Sequence, residues 1–239
     1  MHIFLYTIQP THVHYHTVLY SYDLHTLQNR FYLHNNAIAS LQTTMPILLD
    51  HIMHTSIDTI AFPDDGAAKR FGAMFRAGED GGERVAGGEI EGEVGVGGDA
   101  YAQTHTHTSK LNKHYDIITC GKTRNTTQRS VHIQQGSAQD KHILIVDDLV
   151  QTGSTLYECA CVLRAQGAKS VSVFVAHAVF PHEGWRRFVR HGDSANSVFD
   201  KFYVTNSIPT VTDMLPRGDV YEVLELQHKI IQDLDGYSV

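Results

Sequence analysis

The chain has 239 residues, 42% of them hydrophobic, and a formal net charge of −7. That length and composition support a packed core in one large domain or two small ones, and they exclude global disorder. The charge argues against a nucleic-acid surface held by bulk positive potential, and no apolar run approaches the ~20 residues that span a bilayer.

Residues 1–6 are apolar but lack a basic leading region and a cleavage site, so they read as a strand rather than a signal peptide. Residues 18–22 read as a second strand, running into Asp23-Leu24-His25. Residues 41–52 have helical periodicity. Residues 57–62 form a short apolar strand, stopped by Pro63-Asp64-Asp65-Gly66. Residues 77–112 break the pattern. They are rich in Gly and acidic residues and cannot bury enough apolar surface to order themselves, so they read as an insertion loop. The tract Thr104-His105-Thr106-His107-Thr108 inside it has the composition of a solvated loop rather than a metal site.

Further strands are expected at 115–119, 142–146, 171–176, 201–205 and 220–224. Polar residues including Lys122 and Arg124 follow the first of these and lead to a strand-like stretch at 130–133, which predicts a hairpin with a mobile basic tip. Residues 155–166 place Leu156, Cys159, Ala160 and Leu163 on one helical face, with Gly167 as the stop. Trp185 and Phe188 read as packing residues. Residues 213–218 read as a polar loop. Alternating strands and helices predict an α/β fold, a parallel sheet flanked by helices. Cys120, Cys159 and Cys161 fit neither a metal-ligand spacing nor a disulfide framework. They predict reduced thiols and a cytoplasmic protein.

The segment that carries chemistry is His142-Ile143-Leu144-Ile145-Val146-Asp147-Asp148-Leu149-Val150-Gln151-Thr152-Gly153-Ser154-Thr155. A buried strand delivers two carboxylates to its carboxyl end, where open α/β sheets bind ligands. A tight glycine turn follows, and a helix begins at once. Loop amides and the hydroxyls of Thr152, Ser154 and Thr155 converge at the helix N-terminus, which suits a phosphomonoester. Carboxylates beside it suit vicinal hydroxyls. Together they describe a sugar-phosphate site. The bland alternative, an Asp-Asp turn beside a helix cap, leaves the full strand–loop–helix run unexplained.

The segment resembles the phosphoribosyl-pyrophosphate loop of type I phosphoribosyltransferases and ribose-phosphate diphosphokinases. Asp23-Leu24-His25 is similar to the diphosphokinase metal motif. Phe62-Pro63-Asp64-Asp65-Gly66-Ala67-Ala68-Lys69-Arg70-Phe71 resembles the family's Pro-Asp-x-Gly segment in its plant-type, class II form. Lys122-Thr123-Arg124 resembles the Lys-x-Arg of the catalytic flexible loop. Val175-Ala176-His177-Ala178-Val179-Phe180 and Val204-Thr205-Asn206-Ser207-Ile208-Pro209 resemble later landmarks. The chain departs from the family pattern at Gln151, where many members carry Asp, and in the Gly-rich insertion.

The resemblance to ribose-phosphate diphosphokinases implies a type I phosphoribosyltransferase-like fold. It implies a remnant of the family's amino-terminal half over residues 1–50, and a carboxyl-terminal domain over 51–239 with the insertion near 77–112. It also implies transfer of the diphosphoryl group of ATP to ribose 5-phosphate, giving phosphoribosyl pyrophosphate and AMP. Lys122 and Arg124 would be catalytic. Asp147, Asp148, Gln151, Thr152, Gly153, Ser154 and Thr155 would bind the sugar phosphate. His25 and Asp64 would hold Mg²⁺, with Asp23 behind them. A homo-oligomer, or a hetero-oligomer with full-length family members, is expected, with neither nucleic acid nor membrane as partner. Two alternatives stay open: a non-catalytic regulatory subunit of such an enzyme, and a salvage phosphoribosyltransferase.

Overall fold

The computed structural model describes residues 4–10, 15–25, 37–76, 113–125, 128–189 and 197–235. The Gly-rich stretch 77–112, with its His-Thr tract, lies outside the described residues. The described residues form two compact units, the smaller built on those up to Thr43 and the larger on residues 44–76 and those from 113 onward.

In the smaller unit, strand β1 (Phe4–Pro10) runs antiparallel to β2 (Tyr15–Tyr22), with Phe4 opposite Ser21. Strand β3 (Ala37–Gln42) lies parallel to β2 on its other side, with Thr17 opposite Ala37. Adjacent residues Leu19 and Tyr20 are both buried, so both faces of the central strand are covered. At its end, Asp23 adopts a left-handed conformation with φ of 44°. Its amide donates to Gln42 O at 3.0 Å and its Oδ1 accepts from Thr43 Oγ1 at 2.7 Å, which ties the ends of β2 and β3 together. His25 follows and is exposed.

The larger unit contains, in chain order, α1 (Met45–Ile52), β4 (Thr59–Phe62), α2 (Asp65–Phe75), β5 (Asp116–Asn125), β6 (Gln128–Gln135), β7 (His142–Val150), α3 (Ser154–Ala165) and β8 (Ser170–Ala178). A 3₁₀ segment (Pro181–Phe188), β9 (Phe202–Thr205), α4 (Pro209–Thr212), β10 (Tyr221–Leu224) and α5 (Gln227–Asp235) complete it. Its seven-stranded sheet has the order β10-β9-β8-β7-β4-β5-β6, parallel throughout except for the β5–β6 hairpin.

Side-chain alternation along β7 explains the unbroken apolar run in its sequence. Ile143 and Ile145 join one core with Leu156, Cys159, Ala160 and Leu163 of α3. Leu144 and Val146 join a second core on the opposite face, with Leu48 and Ile52 of α1 and Phe71 and Phe75 of α2. A parallel strand covered on both faces needs apolar residues at every position. The cysteines are free thiols, and buried Cys159 donates to the Sγ of Cys120 at 3.4 Å.

Three expectations change. The helix expected over 41–52 begins only at Met45, and Leu41 and Gln42 belong to β3. Pro46 in the first turn sets that start, since proline suits the first helical positions, where a missing N–H costs nothing. Strand β7 runs on to Val150, so Asp147 and Asp148 sit within the strand and only Gln151 and Thr152 separate it from the Gly153 cap. The hairpin strands run further toward the tip than 119 and 130, through Lys122 and Arg124. These two residues pair with Val131 and Arg129 inside the β5–β6 ladder.

Candidate functional site

The sheet order places β4 and β7 side by side while their chains leave in opposite directions, β4 by way of α2 to β5 and β7 by way of α3 to β8. Helices α2 and α3 pack on opposite faces of the sheet. Such a switch point opens a crevice at the carboxyl ends of the two strands. Asp64, Lys122, Asp147, Asp148 and the turn at 151–155 lie at that end of the sheet.

From β7 come Asp147 and Asp148, the latter 3% exposed. The Asp148 amide donates to Asp147 Oδ1 at 3.0 Å. Burial, then the charges of Asp148 and Asp64, push the Asp147 carboxyl up to about 7. Asp148 is paired with Arg70, which reaches in from α2. From the end of β4, Asp64 caps α2: its Oδ1 accepts from Ala67 N at 3.1 Å. Its Oδ2 accepts from Lys122 Nζ at 2.9 Å across the neighbouring strand. Burial alone would raise the Asp64 carboxyl, but the hydrogen bond and charge of Lys122 and the amides of Ala67 and Gly66 outweigh it and hold the group below the ordinary range.

The turn into α3 sits beside these carboxylates. Gly153 is the N-cap with φ of 73° and offers no side chain to the first turn. Thr152 Oγ1 lies 3.3 Å from Ser154 Oγ and accepts from Ser154 N at 3.4 Å. Gln151, Thr152 and Ser154 are exposed and Thr155 is half-buried, around a buried glycine. Amide dipoles and hydroxyl donors at a helix start hold an anion, and the carboxylates next to them accept from hydroxyl groups.

Residues 108–196 match the phosphoribosyl transferase domain family. Over 218 residues the sequence is 35% identical to ribose-phosphate pyrophosphokinase 4 of Oryza sativa subsp. japonica, covering 89% of this chain and 55% of the rice protein. The Arabidopsis thaliana protein of the same name is 33% identical over 216 residues, covering 89% of this chain and 53% of the relative. The chain is a relative of the ribose-phosphate pyrophosphokinases. It spans about half the length of these two relatives. The crystal structure of phosphoribosylpyrophosphate synthetase from Mycobacterium smegmatis superposes with a TM-score of 0.60 at 18% identity, covering 92% of this chain and 58% of that one. That likeness supports the fold, which is of the type I phosphoribosyltransferase kind.

Within that family frame, Asp64, Lys122, Asp147, Asp148 and residues 151–155 share one end of the larger unit's sheet. Arg124 has its backbone in β5, and its side chain lies outside the described residues. His25 belongs to the smaller unit. Sequence reasoning missed the role of Arg70. Its position, six residues after the helix cap at Asp64, carries no spacing signal toward a strand 78 residues later.

Proposed function

We propose that the chain transfers the diphosphoryl group of ATP to ribose 5-phosphate, giving phosphoribosyl pyrophosphate and AMP. What supports this reading most is the meeting, at the β4–β7 switch point, of half-buried Asp147 and buried Asp148 with the Gly153 turn. In the reaction the C1 hydroxyl oxygen of the sugar bonds to the β-phosphorus of ATP, the bond from that phosphorus to the AMP oxygen breaks, and the hydroxyl proton is released to solvent. Residues 151–155 hold the 5-phosphate. Asp147 and Asp148 accept hydrogen bonds from the ribose hydroxyls and fix the ring. Lys122 and Arg124 place positive charge beside the transferring phosphates, where charge stabilisation and alignment count for more than covalent help.

Mg²⁺ supplies charge neutralisation on the ATP phosphates when it is bound. Among the described residues no group of three or more His, Cys, Asp or Glu side chains forms a metal cage. Mg²⁺ commonly relies on one or two carboxylates with substrate oxygens and water. Asp64 and Asp147 would fit that description: burial, then the charges of Asp148 and Asp64, raise the Asp147 carboxyl, and a bound cation would relieve that repulsion. His25 is a candidate ligand through the resemblance. A cytoplasmic setting accords with the free thiols, and no helix among the described residues is long and apolar enough to cross a membrane.

The test is a coupled assay for AMP release by the purified chain with ATP, ribose 5-phosphate and Mg²⁺. Equimolar AMP and phosphoribosyl pyrophosphate are expected. Absence of AMP at every Mg²⁺ concentration would overturn independent catalysis. AMP appearing only on mixing with a full-length relative would put a regulatory subunit in its place.

A further inference from the structure

A phosphomonoester brings about −1.5 to −2 charges at pH 7, whereas a helix N-terminus offers roughly half a positive charge. Residues 151–155 contain no cation. A segment more than thirty residues later in the chain supplies one. Arg187 Nη1 donates to Thr152 O at 3.1 Å and lies 3.4 Å from Ser154 Oγ. Arg187, Thr152 and Ser154 are all exposed.

The position of Arg187 is fixed from both sides. After β8 the chain bends sharply at Phe180, His182 and Glu183, all at positive φ, and the 3₁₀ segment returns over the turn into α3. Trp185 and Phe188 anchor the segment in the core. Tyr221 donates its hydroxyl to Trp185 O at 2.7 Å. The Phe188 ring lies against Gly153 itself. The Arg187 guanidinium stacks 5.1 Å from the Phe188 ring and 5.6 Å from that of Tyr157, on the first turn of α3. Neighbouring Arg186 is turned instead to Glu183, 2.5 Å away, and to the Trp185 ring. Both Arg187 hydrogen bonds use Nη1, and a guanidinium carries five N–H donors in a planar fork that matches phosphate oxygens.

We propose that Arg187 is a binding residue for the phosphate of the sugar-phosphate substrate, acting with the hydroxyls and amides of residues 152–155. The inference rests on the reading of that turn as the ribose 5-phosphate site. Arg187 supplies the full positive charge that the turn lacks, so it favours the dianion over the monoanion.

Calorimetric titration of the full chain with ribose 5-phosphate tests it, using wild type, Arg187→Gln, Arg187→Lys and Thr155→Ala. Wild type should bind. Arg187→Gln should bind about ten- to a hundredfold more weakly, the range expected for losing a charged hydrogen bond, and Arg187→Lys should recover part of the loss. Wild-type affinity should rise through the second phosphate ionisation near pH 6. That rise should shrink in Arg187→Gln, which a purely structural role would not produce. If Thr155→Ala weakens binding while Arg187→Gln matches wild type, Arg187 is excluded and the loop reading stands. If wild type does not bind, both fall. Should Arg187→Gln fail to fold, phenylglyoxal labelling of the wild-type chain decides. Ribose 5-phosphate should protect Arg187 from the reagent, and equal labelling with and without it overturns the assignment.

Discussion

Phe188 occupies the space that a side chain at Gly153 would need. A Cβ built on Gly153 would meet Phe188 Cζ at 2.5 Å, and the Gly153 φ of +73° is one that other residues adopt at a cost. The turn into α3 is therefore closed by two independent requirements, a left-handed backbone and an aromatic lid, and both fall on residue 153. Gly153→Ala should destabilise the chain by about 1–3 kcal/mol, adding left-handed strain to overpacking. Denaturant midpoints measure it. Pairing Gly153→Ala with Phe188→Leu should cost less than the sum of the two single changes, because the smaller side chain removes the clash. Strict additivity would show that the two residues do not touch.

Asp148 and Arg70 give a second measurable link, between β7 and α2. The Arg70 side chain is 32% exposed and that of Asp148 is 5% exposed, so the carboxylate carries most of the desolvation. Taking the charged partner away from a buried carboxylate should cost roughly 1–3 kcal/mol in Arg70→Met, which keeps the packing stem. Asp148→Asn in the same background should return part of that loss, since no buried charge then remains to be compensated. A double variant less stable than Arg70→Met would argue that Asp148 is held by other groups.

Asp147 predicts a pH dependence of the opposite sign to that of a surface ion pair. Burial and the adjacent carboxylates raise its folded pKa to about 7, from an ordinary value of 3.8. A carboxyl with a raised folded pKa contributes its stability below the unfolded pKa and loses it as pH rises through the folded one. Wild-type stability should thus decline between about pH 4 and pH 7 relative to Asp147→Asn, whose neutral amide does not titrate there. Urea midpoints at pH 5, 6, 7 and 8 for both proteins check it. A gap between them that does not change with pH would remove the assignment.

How much of this was legible in the sequence depends on which signal each element carries. Strand β7 and helix α3 were readable because the period changes from continuous apolar to helical across a single glycine, and because one strand end gathers two carboxylates. The boundary at residue 45 was harder. Leu41 continues the apolar spacing of α1 by coincidence, although hydrogen bonding to β2 takes it into a strand. The hairpin of β5 and β6 was visible, but not that its ladder extends through Lys122 and Arg124. Polar residues on a two-stranded extension look like a loop until the partner strand is known. Arg70 and Asp148 could not be paired at all, because their contact depends on β4 lying next to β7, a property of strand order rather than of local pattern.

The sharpest prediction concerns Lys122 and Asp64. Their ion pair, with Nζ 2.9 Å from Oδ2, joins β5 to the cap of α2. The hydrogen bond and charge of Lys122 help to hold Asp64 ionised. Asp64 has its folded pKa lowered, so its stabilising contribution is present above the unfolded value near 3.8 and disappears as pH falls through the folded one. Lys122→Ala should shift the acid unfolding limb toward higher pH, with a modest loss of stability at pH 7, since the Asp64 side chain is 42% exposed and solvent screens the pair. The effect on turnover should be much larger. A cation beside transferring phosphates gains most when negative charge shifts between oxygens, so its loss lowers kcat on the order of a hundredfold. The KM for ribose 5-phosphate should change little, because in the proposed site residues 151–155 and the Asp147–Asp148 pair would bind the sugar phosphate independently of it. Asp147→Asn with Asp148→Asn should show the reverse emphasis, with sugar binding weakened as well as turnover. Steady-state AMP release across ribose 5-phosphate concentrations, with acid titration of the same preparations, measures both halves of the prediction. A Lys122→Ala protein with an altered acid limb and normal kcat would make the lysine a structural clamp for Asp64. One with raised KM and unchanged kcat would place it in sugar binding instead of at the transferring phosphates.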